Sequence, residues 1–289
     1  MTWVGVAGWD YPDWNGIVYP AGSSRGFDRL VRLARFVDLV EVNATFYRPV
    51  RPQVAASWVR RVSRYPGFRF TAKVHRSLTH EPCDDAPAAA ASTLEGLRPL
   101  REAGLLGALL VQFPQSFHWT PESRERVGRV LDALAGWPAV VETRHASWDD
   151  DRAAAWIREH GAGWCVVDQP RVGRTAPPRP RVTSPVGYMR LHGRNERAWF
   201  ATDVGRDARY DYLYSVDELK PLADAVHAMG AHASAVYAVA NNHFRGQAVA
   251  NALQLKHLLQ GIAPEAPEEL VAVYPALRGV VTSPRERLF

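Results

Sequence analysis

The chain has 289 residues, 47% of them hydrophobic and 22% charged, which excludes a disordered polypeptide and suits one large domain or two small ones, a length that single α/β barrels routinely reach. Thirty-five Lys and Arg against 30 Asp and Glu give a net charge of +5. Only Lys73, Lys220 and Lys256 are lysines, so the basicity is arginine in an alanine-rich chain, and that compositional bias weakens an argument from charge to nucleic acid. Cys83 and Cys165 are too few and too far apart for a disulfide framework or a zinc ribbon. No run approaches the roughly 20 apolar residues of a membrane span, and Met1-Thr2 leads straight into a strand-like run with no leader pattern. The expectation is a cytoplasmic protein off the membrane, with the oligomeric state left open.

Short β-rich runs alternate with longer amphipathic ones. The predicted strands are Trp3–Trp9, Asp38–Tyr47, Phe68–His75, Leu106–Phe113, Ala139–His145, Gly163–Asp168, Val186–Gly193 and Ala235–Asn242. Between them, Phe27–Phe36, Gln53–Ser63, Ala88–Ala103, Pro121–Ala135, Trp148–His160, Val216–Met229 and Gly246–Gln260 carry helical spacing. Thr120 before Pro121 reads as an N-cap, and Gly104 and Gly230 read as helix stops. Eight strands with crossover helices predict a closed (β/α)8 TIM-like barrel of parallel strands. An open Rossmann-like sheet is the competitor, but no Gly-x-Gly-x-x-Gly follows the first strand. One βα unit is irregular: Gln169–Pro185, between strands six and seven, is too rich in proline for a helix and reads as a long loop over one rim. Residues 1–289 are read as a single domain, with a tail from about Ile262 wrapping the outside.

Polar residues cluster at the C-terminal ends of the runs. Glu41 and Asn43, Lys73 and His75, Glu142 and Arg144, and Arg190 and His192 each share a strand face, opposite apolar neighbours. Strands buried on both faces should hold few such groups. Four strands agreeing point to a site at the barrel top, where such folds place their chemistry.

These residues also form an ordered motif set. Gly8-Trp9-Asp10-Tyr11-Pro12-Asp13-Trp14-x-Gly16, Glu41-Val42-Asn43-Ala44-Thr45-Phe46-Tyr47 and Phe70-Thr71-Ala72-Lys73 with Thr79-His80 open the set. Gln112-Phe113-Pro114, Glu142-Thr143-Arg144-His145-x-x-Trp148, Arg190-Leu191-His192-Gly193 and Asn241-Asn242-His243-x-x-Gly246 with Asn251-Ala252 complete it. From about residue 5 to 260 the chain resembles the YecE-like family, a domain of unknown function. The resemblance implies a TIM-like barrel related to sugar isomerases, with no reaction attached. Ala7 stands where the family pattern leads one to expect Ser or Thr.

Several cations around two or three carboxylates predict a small anionic, sugar-like ligand, because arginine grips carboxylate or phosphate bidentately. Glu142 and His192 are the candidate general acid/base pair. Lys73 is a candidate charge, general base or imine-forming amine. Arg144 and Arg190, with Arg194 as a further candidate, would hold the anion. Asn43, Gln112, Asn241 and Asn242 would orient it, Trp9 and Tyr47 would stack on it, and His80 is grouped with these binding residues. The competing structural reading is that Glu142–Arg144 or Glu41–Lys73 simply neutralise each other. No cofactor is expected; the alternative is a divalent-metal isomerase or phosphodiester hydrolase using Glu41, Glu142, Asp168 and His192. A second alternative is nucleic-acid or small-ligand binding without chemistry. It rests on nine arginines against Glu196, Asp203 and Asp207 in Arg171–Arg209, 9 − 3 = +6.

Overall fold

The computed structural model describes residues 1–23, 26–199, 201 and 205–284. Eight parallel strands close into a barrel in chain order: β1 (Thr2–Ala7), β2 (Leu39–Val42), β3 (Arg69–Lys73), β4 (Leu106–Gln112), β5 (Ala139–Glu142), β6 (Gly163–Asp168), β7 (Val186–Leu191) and β8 (Ala235–Ala240). The seam is a parallel pairing of β8 with β1, from Thr2 opposite Val236 to Val6 opposite Ala240. The barrel expected from the alternating pattern is therefore the observed fold.

Helices flank the strands: α1 (Arg29–Ala34), α2 (Ala44–Tyr47), α3 (Pro52–Val62), α4 (Ala86–Glu102), α5 (Pro121–Ala133), α6 (Asp151–Glu159), α7 (Glu196–Trp199), α8 (Val216–Gly230), α9 (Gln247–Gln260) and α10 (Glu268–Val273). Side chains start several of them. Asp28, Asp85 and Thr120 accept from the backbone N–H groups of Val31, Ala88 and Ser123, and Ser215 with Glu218 forms a capping box on α8. Gly104, at φ +66°, ends α4 as expected, whereas Gly230 is the last residue of α8.

The largest departure concerns β2. The run to Tyr47 was expected to be one strand, because Val, Thr, Phe and Tyr favour β structure. The strand instead stops at Val42; Asn43 takes a right-handed helical conformation and Ala44–Tyr47 forms one helical turn. The Thr45 hydroxyl fixes this turn by donating to the Lys73 carbonyl of the neighbouring strand at 2.7 Å. β3, β5, β7 and β8 likewise end two or three residues before their expected limits. His75 and His145 cap short 3₁₀ turns, with their Nδ1 atoms against the N–H groups of Ser77 and Ser147.

Between β6 and β7 the proline-rich segment has no helix. It starts at the barrel top, where the Ala176 N–H donates to the Arg144 carbonyl and the Arg174 carbonyl accepts from Ala146. It reaches the opposite end where the Thr183 hydroxyl donates to the carbonyl of Ala162, just ahead of β6. The segment thus does more than cover a rim. It returns the chain to the bottom as a parallel connection requires, pinned by Arg181 to Asp149 and Asp151.

Two apolar regions result. The larger lies between strands and helices and takes in Leu270 and Leu277 of the segment after α9. The smaller fills the lower lumen with Leu39, Ala108, Leu110, Val140, Cys165, Val167, Tyr188, Tyr237 and Val239, together with Ala7 of the variant motif. Closure demands small residues where strands or rings approach. A Cβ on Gly107 would lie 2.4 Å from the Tyr237 ring, and one on Gly5 would lie 1.9 Å from the Leu39 carbonyl oxygen. Gly5→Ala is expected to destabilise the barrel by about 3 kcal/mol, the upper end for overpacking, because backbone rather than a side chain must move. A shift of the urea midpoint at unchanged slope measures this; a neutral variant would show that the β1–β2 contact is not tight.

Candidate active site at the barrel top

Above the apolar lower lumen the inward side chains become ionic. Arg190 on β7 is buried between two carboxylates: Nη2 donates to Glu41 Oε1 and Nη1 to Glu142 Oε2, both at 2.7 Å. Tyr188 Oη, one inward position lower, donates to Glu41 Oε2 at 2.9 Å and lies 2.7 Å from the Thr71 hydroxyl. Arg144 Nε donates to the remaining Glu142 oxygen, Oε1, at 2.7 Å. β2, β3, β5 and β7 are thereby tied together across the lumen.

His192 is fully buried beside this network. Its Nε2 lies 3.3 Å from Arg190 Nη1 and 3.4 Å from Arg144 Nη2, and its Nδ1 lies 2.8 Å from the Asn241 amide. Burial, then Arg144 and Arg190, push its pKa down to about 3, so the imidazole is neutral at physiological pH. Burial would raise the Glu142 carboxyl, but Arg190 and Arg144 override it and hold the group well below the usual carboxylate range.

Over this layer opens a cavity of about 560 Å³. Its lining includes Lys73, Gln112, Arg144, Arg190, Asn43 and Asn241, with Trp9, Tyr11, Phe46, Tyr47, His80, Tyr210 and His243 around them. Lys73 Nζ donates to Gln112 Oε1 at 2.8 Å and sits 4.2 Å from the Phe46 ring centroid. Burial, then Arg190, lower its pKa to about 7. Three buried polar atoms of the lining have no hydrogen-bond partner: Arg190 Nε, Asn43 Oδ1 and Gln115 Oε1.

Of the residues expected at the site, Lys73, Arg144, Arg190, Asn43, Tyr47, Gln112, Asn241, Trp9 and His80 line this cavity. Glu142 and His192 lie in the ionic layer that supports it. Asn242 does not join them: its amide donates to the Tyr212 carbonyl and to Asn251 Oδ1 in the outer layer. Adjacent residues at a strand end face opposite ways, so only one of the two asparagines can reach the lumen. Arg194 is also turned outward, bonded through Nε and Nη2 to Asp168 at 2.9 Å. Asp168 accepts in addition from Tyr214 Oη at 2.6 Å, so the proposed metal set of Glu41, Glu142, Asp168 and His192 is not assembled. Among the described residues no three His, Cys, Asp or Glu side chains converge as metal ligands. His75 is spent on its own turn. Within the arginine-rich stretch, Arg179 and Arg181 pair with Asp149, and Arg190 and Arg194 are bound as above; Asp203 and the Arg206 side chain lie outside the described residues.

Tyr11, Phe46, Tyr210 and His243 also line the cavity. Phe46 stands in the quoted motifs without an assigned role, whereas Tyr11 is one of the loop aromatics expected to stack on a sugar face or a base. Tyr11 stacks on His243 at 4.4 Å with an 8° interplanar angle, and its hydroxyl donates to the Ala7 carbonyl at 2.8 Å. Tyr210 carries no periodic signal; it ends the short 3₁₀ turn Arg206–Tyr210 between α7 and α8. The β8 loop that brings His243 inward is held by Trp14 Nε1, which donates to the His243 carbonyl at 2.7 Å, and contains Arg245 in a left-handed conformation, φ +49°.

A model of the family described as "Protein of unknown function DUF72" matches residues 3–271. The chain belongs to the DUF72 family. UPF0759 protein YunF of Bacillus subtilis is 26% identical over 282 residues, 91% of this chain and 98% of that one. UPF0759 protein YecE of Escherichia coli K12 is 27% identical over 187 residues, 61% of this chain and 62% of its own. Among solved structures, a DUF72 protein of Thermotoga maritima superposes with TM-score 0.79 at 33% identity, covering 90% of this chain and 99% of that one. One from Enterococcus faecalis superposes equally well at 27% identity, covering 90% of this chain and 95% of its own. The YecE-like resemblance and the barrel are therefore both shown for this DUF72 chain. Among the described residues no helix is long and apolar enough to cross a membrane.

The buried layer has a consequence for pH. His192 stays neutral in the folded chain down to about pH 3 and gains a proton near 6.5 when unfolded, so the unfolded state binds more protons between those values. Glu142, depressed in the same way, adds to the loss at lower pH. Stability is expected to fall on acidification below about pH 6.5, with a slope from His192 approaching about 1.4 kcal/mol per pH unit. Thermal melts of wild type and His192→Gln between pH 4.5 and 8 measure it. Equal slopes in the two proteins would show that His192 is not held neutral.

Proposed function

We propose that the cavity binds a small anionic molecule with a sugar-like or other ring-bearing body, and that Lys73 is the group poised to react with it. The observation that carries this reading is the imbalance of the layer beneath. Glu41 and Glu142 are matched by Arg190 and Arg144, which leaves Lys73 as the surplus cation. Arg190 Nε and Asn43 Oδ1, buried and unpartnered, supply one donor and one acceptor for a ligand with both functions. Trp9, Phe46 and Tyr47 offer faces for a ring at the mouth.

In this reading Glu142 and His192 orient the arginines rather than exchange protons with substrate. A carboxylate held ionised and an imidazole held neutral do not change charge near pH 7, whereas Lys73 does. Arg144 binds the anion, and Gln112, Asn43 and Asn241 orient it. The metal-dependent alternative would need Asp168, which is committed to Arg194 and Tyr214. The nucleic-acid alternative draws no specific support, since four arginines of its stretch are engaged by carboxylates of this chain.

Sulfate, whose charge is constant from pH 6 to 9, tests the reading by calorimetric titration. An anion favours protonated Lys73, so binding is expected to weaken as pH rises above about 7. Arg144→Gln should weaken it at least about tenfold, the equivalent of roughly 1.4 kcal/mol, and Lys73→Met should abolish the pH dependence. Absence of binding at millimolar sulfate, or binding indifferent to both substitutions, would overturn the proposal.

A further inference from the structure

The binding reading leaves open what the amine of Lys73 does, and its surroundings narrow the answer. Lys220 and Lys256 each pair with a carboxylate, Asp217 and Asp38 respectively. Lys73 pairs with none among the described residues: Glu41 and Glu142 both turn to Arg190, and Arg144 takes the last Glu142 oxygen. The contacts of Nζ are the neutral Gln112 Oε1 and the face of Phe46. Nζ therefore sits at the end of β3, on the cavity wall, with no anion holding its proton and with two guanidiniums beyond it.

We propose that Lys73 captures an aldehyde or ketone group of the ligand as an imine, which makes the substrate class an anionic carbonyl compound. This rests on the proposed anion site, because Arg144 and Arg190 Nε would hold the charged end while the carbonyl meets Nζ. The neutral amine attacks the carbonyl carbon, forming the C–N bond while the C=O π pair moves to oxygen, which takes a proton. That proton comes from the nitrogen; a second proton from water turns the hydroxyl into a leaving water, and the nitrogen lone pair closes the C=N bond to give the iminium, whose remaining N–H proton returns to solvent to leave the imine. No oxidant or cofactor enters this step. The lowered basicity of Lys73 supports it, since an ordinary lysine presents almost no free amine at neutral pH. His80, held near pKa 4 by partial burial and by Lys73, stands at the same wall as a neutral imidazole bonded to the Thr79 hydroxyl.

Borohydride trapping tests this on the intact chain, and the presence of only three lysines makes the map simple. The probes are pyridoxal 5′-phosphate and dihydroxyacetone phosphate, each incubated at pH 7.5, reduced, digested and mapped by mass spectrometry. The expected result is secondary-amine formation at Lys73 at least tenfold faster than at Lys220 or Lys256, saturating with probe and suppressed by sulfate. Half-maximal rate is expected near pH 7. Lys73→Met, which keeps an unbranched apolar chain in place, should lose that adduct alone. Equal modification of the three lysines, or none at Lys73, would overturn imine formation. Sulfate binding with no preference for Lys73 would sink the imine and leave the anion site standing. Selective trapping that sulfate fails to suppress would keep the imine and sink the anion site.

Discussion

Arg190 sits inside the barrel with a carboxylate on either side, and the upper lumen is organised around that guanidinium. A planar fork with fixed donors suits two carboxylates arriving from different strands, a geometry an ammonium would not reproduce. Glu41 comes from β2 and Glu142 from β5, so the three side chains hold strands that do not pair directly with one another. Desolvating these charges is costly, and the network is tolerable only because each oxygen of Glu41 and Glu142 has a donor: Arg190 and Tyr188 for the first, Arg190 and Arg144 for the second. Removing one member would strand a charge in an apolar shaft.

That network divides the lumen into zones with different duties. Below it, aliphatic and tyrosine side chains pack as an ordinary barrel core. Within it, ionisable groups are frozen: Glu142 charged, His192 neutral, Cys165 raised by burial and by Glu142. Above it, Lys73 stands near its point of change. The ionic layer thus forms the floor of the cavity that Lys73 lines. The outer network of Asp168, Arg194, Tyr214 and Glu218 does for the β6–β7 corner what Arg190 does inside, without touching the cavity.

Most of the barrel was legible because eight β-rich runs alternated with amphipathic ones, and a parallel sheet with crossovers leaves little else to build. The inward faces of β2, β5 and β7 were legible too, because alternation puts one apolar and one ionic set on each strand. The pattern became ambiguous where that contrast vanished. In β6 both faces are apolar, so nothing fixed the phase of Asp168, and it faces outward. At the end of β8 two identical residues, Asn241 and Asn242, gave no ground for choosing between faces. The end of β2 failed for another reason. Residues of high strand propensity were overruled by the helical turn of Asn43 and by a hydroxyl bond from Thr45 to a neighbouring strand, which no local pattern contains. Tyr210 ends a short 3₁₀ turn, which has too few residues to show a helical period.

The charge arithmetic of the cavity links its two proposed uses and sets a limit on their geometry. With two carboxylates cancelling two guanidiniums, the state of Lys73 decides whether the cavity is neutral or positive. A bound anion next to Nζ would favour the ammonium and so suppress the nucleophile it needs. Anion capture and imine formation are compatible only if the anion sits on the arginine side and the carbonyl on the Gln112–Phe46 side. Arg190 Nε, unpartnered, belongs to the ionic layer, whereas Lys73 Nζ rests against Gln112 and the Phe46 ring at the cavity wall. A ligand that meets both groups would carry its charge at one end and its carbonyl at the other.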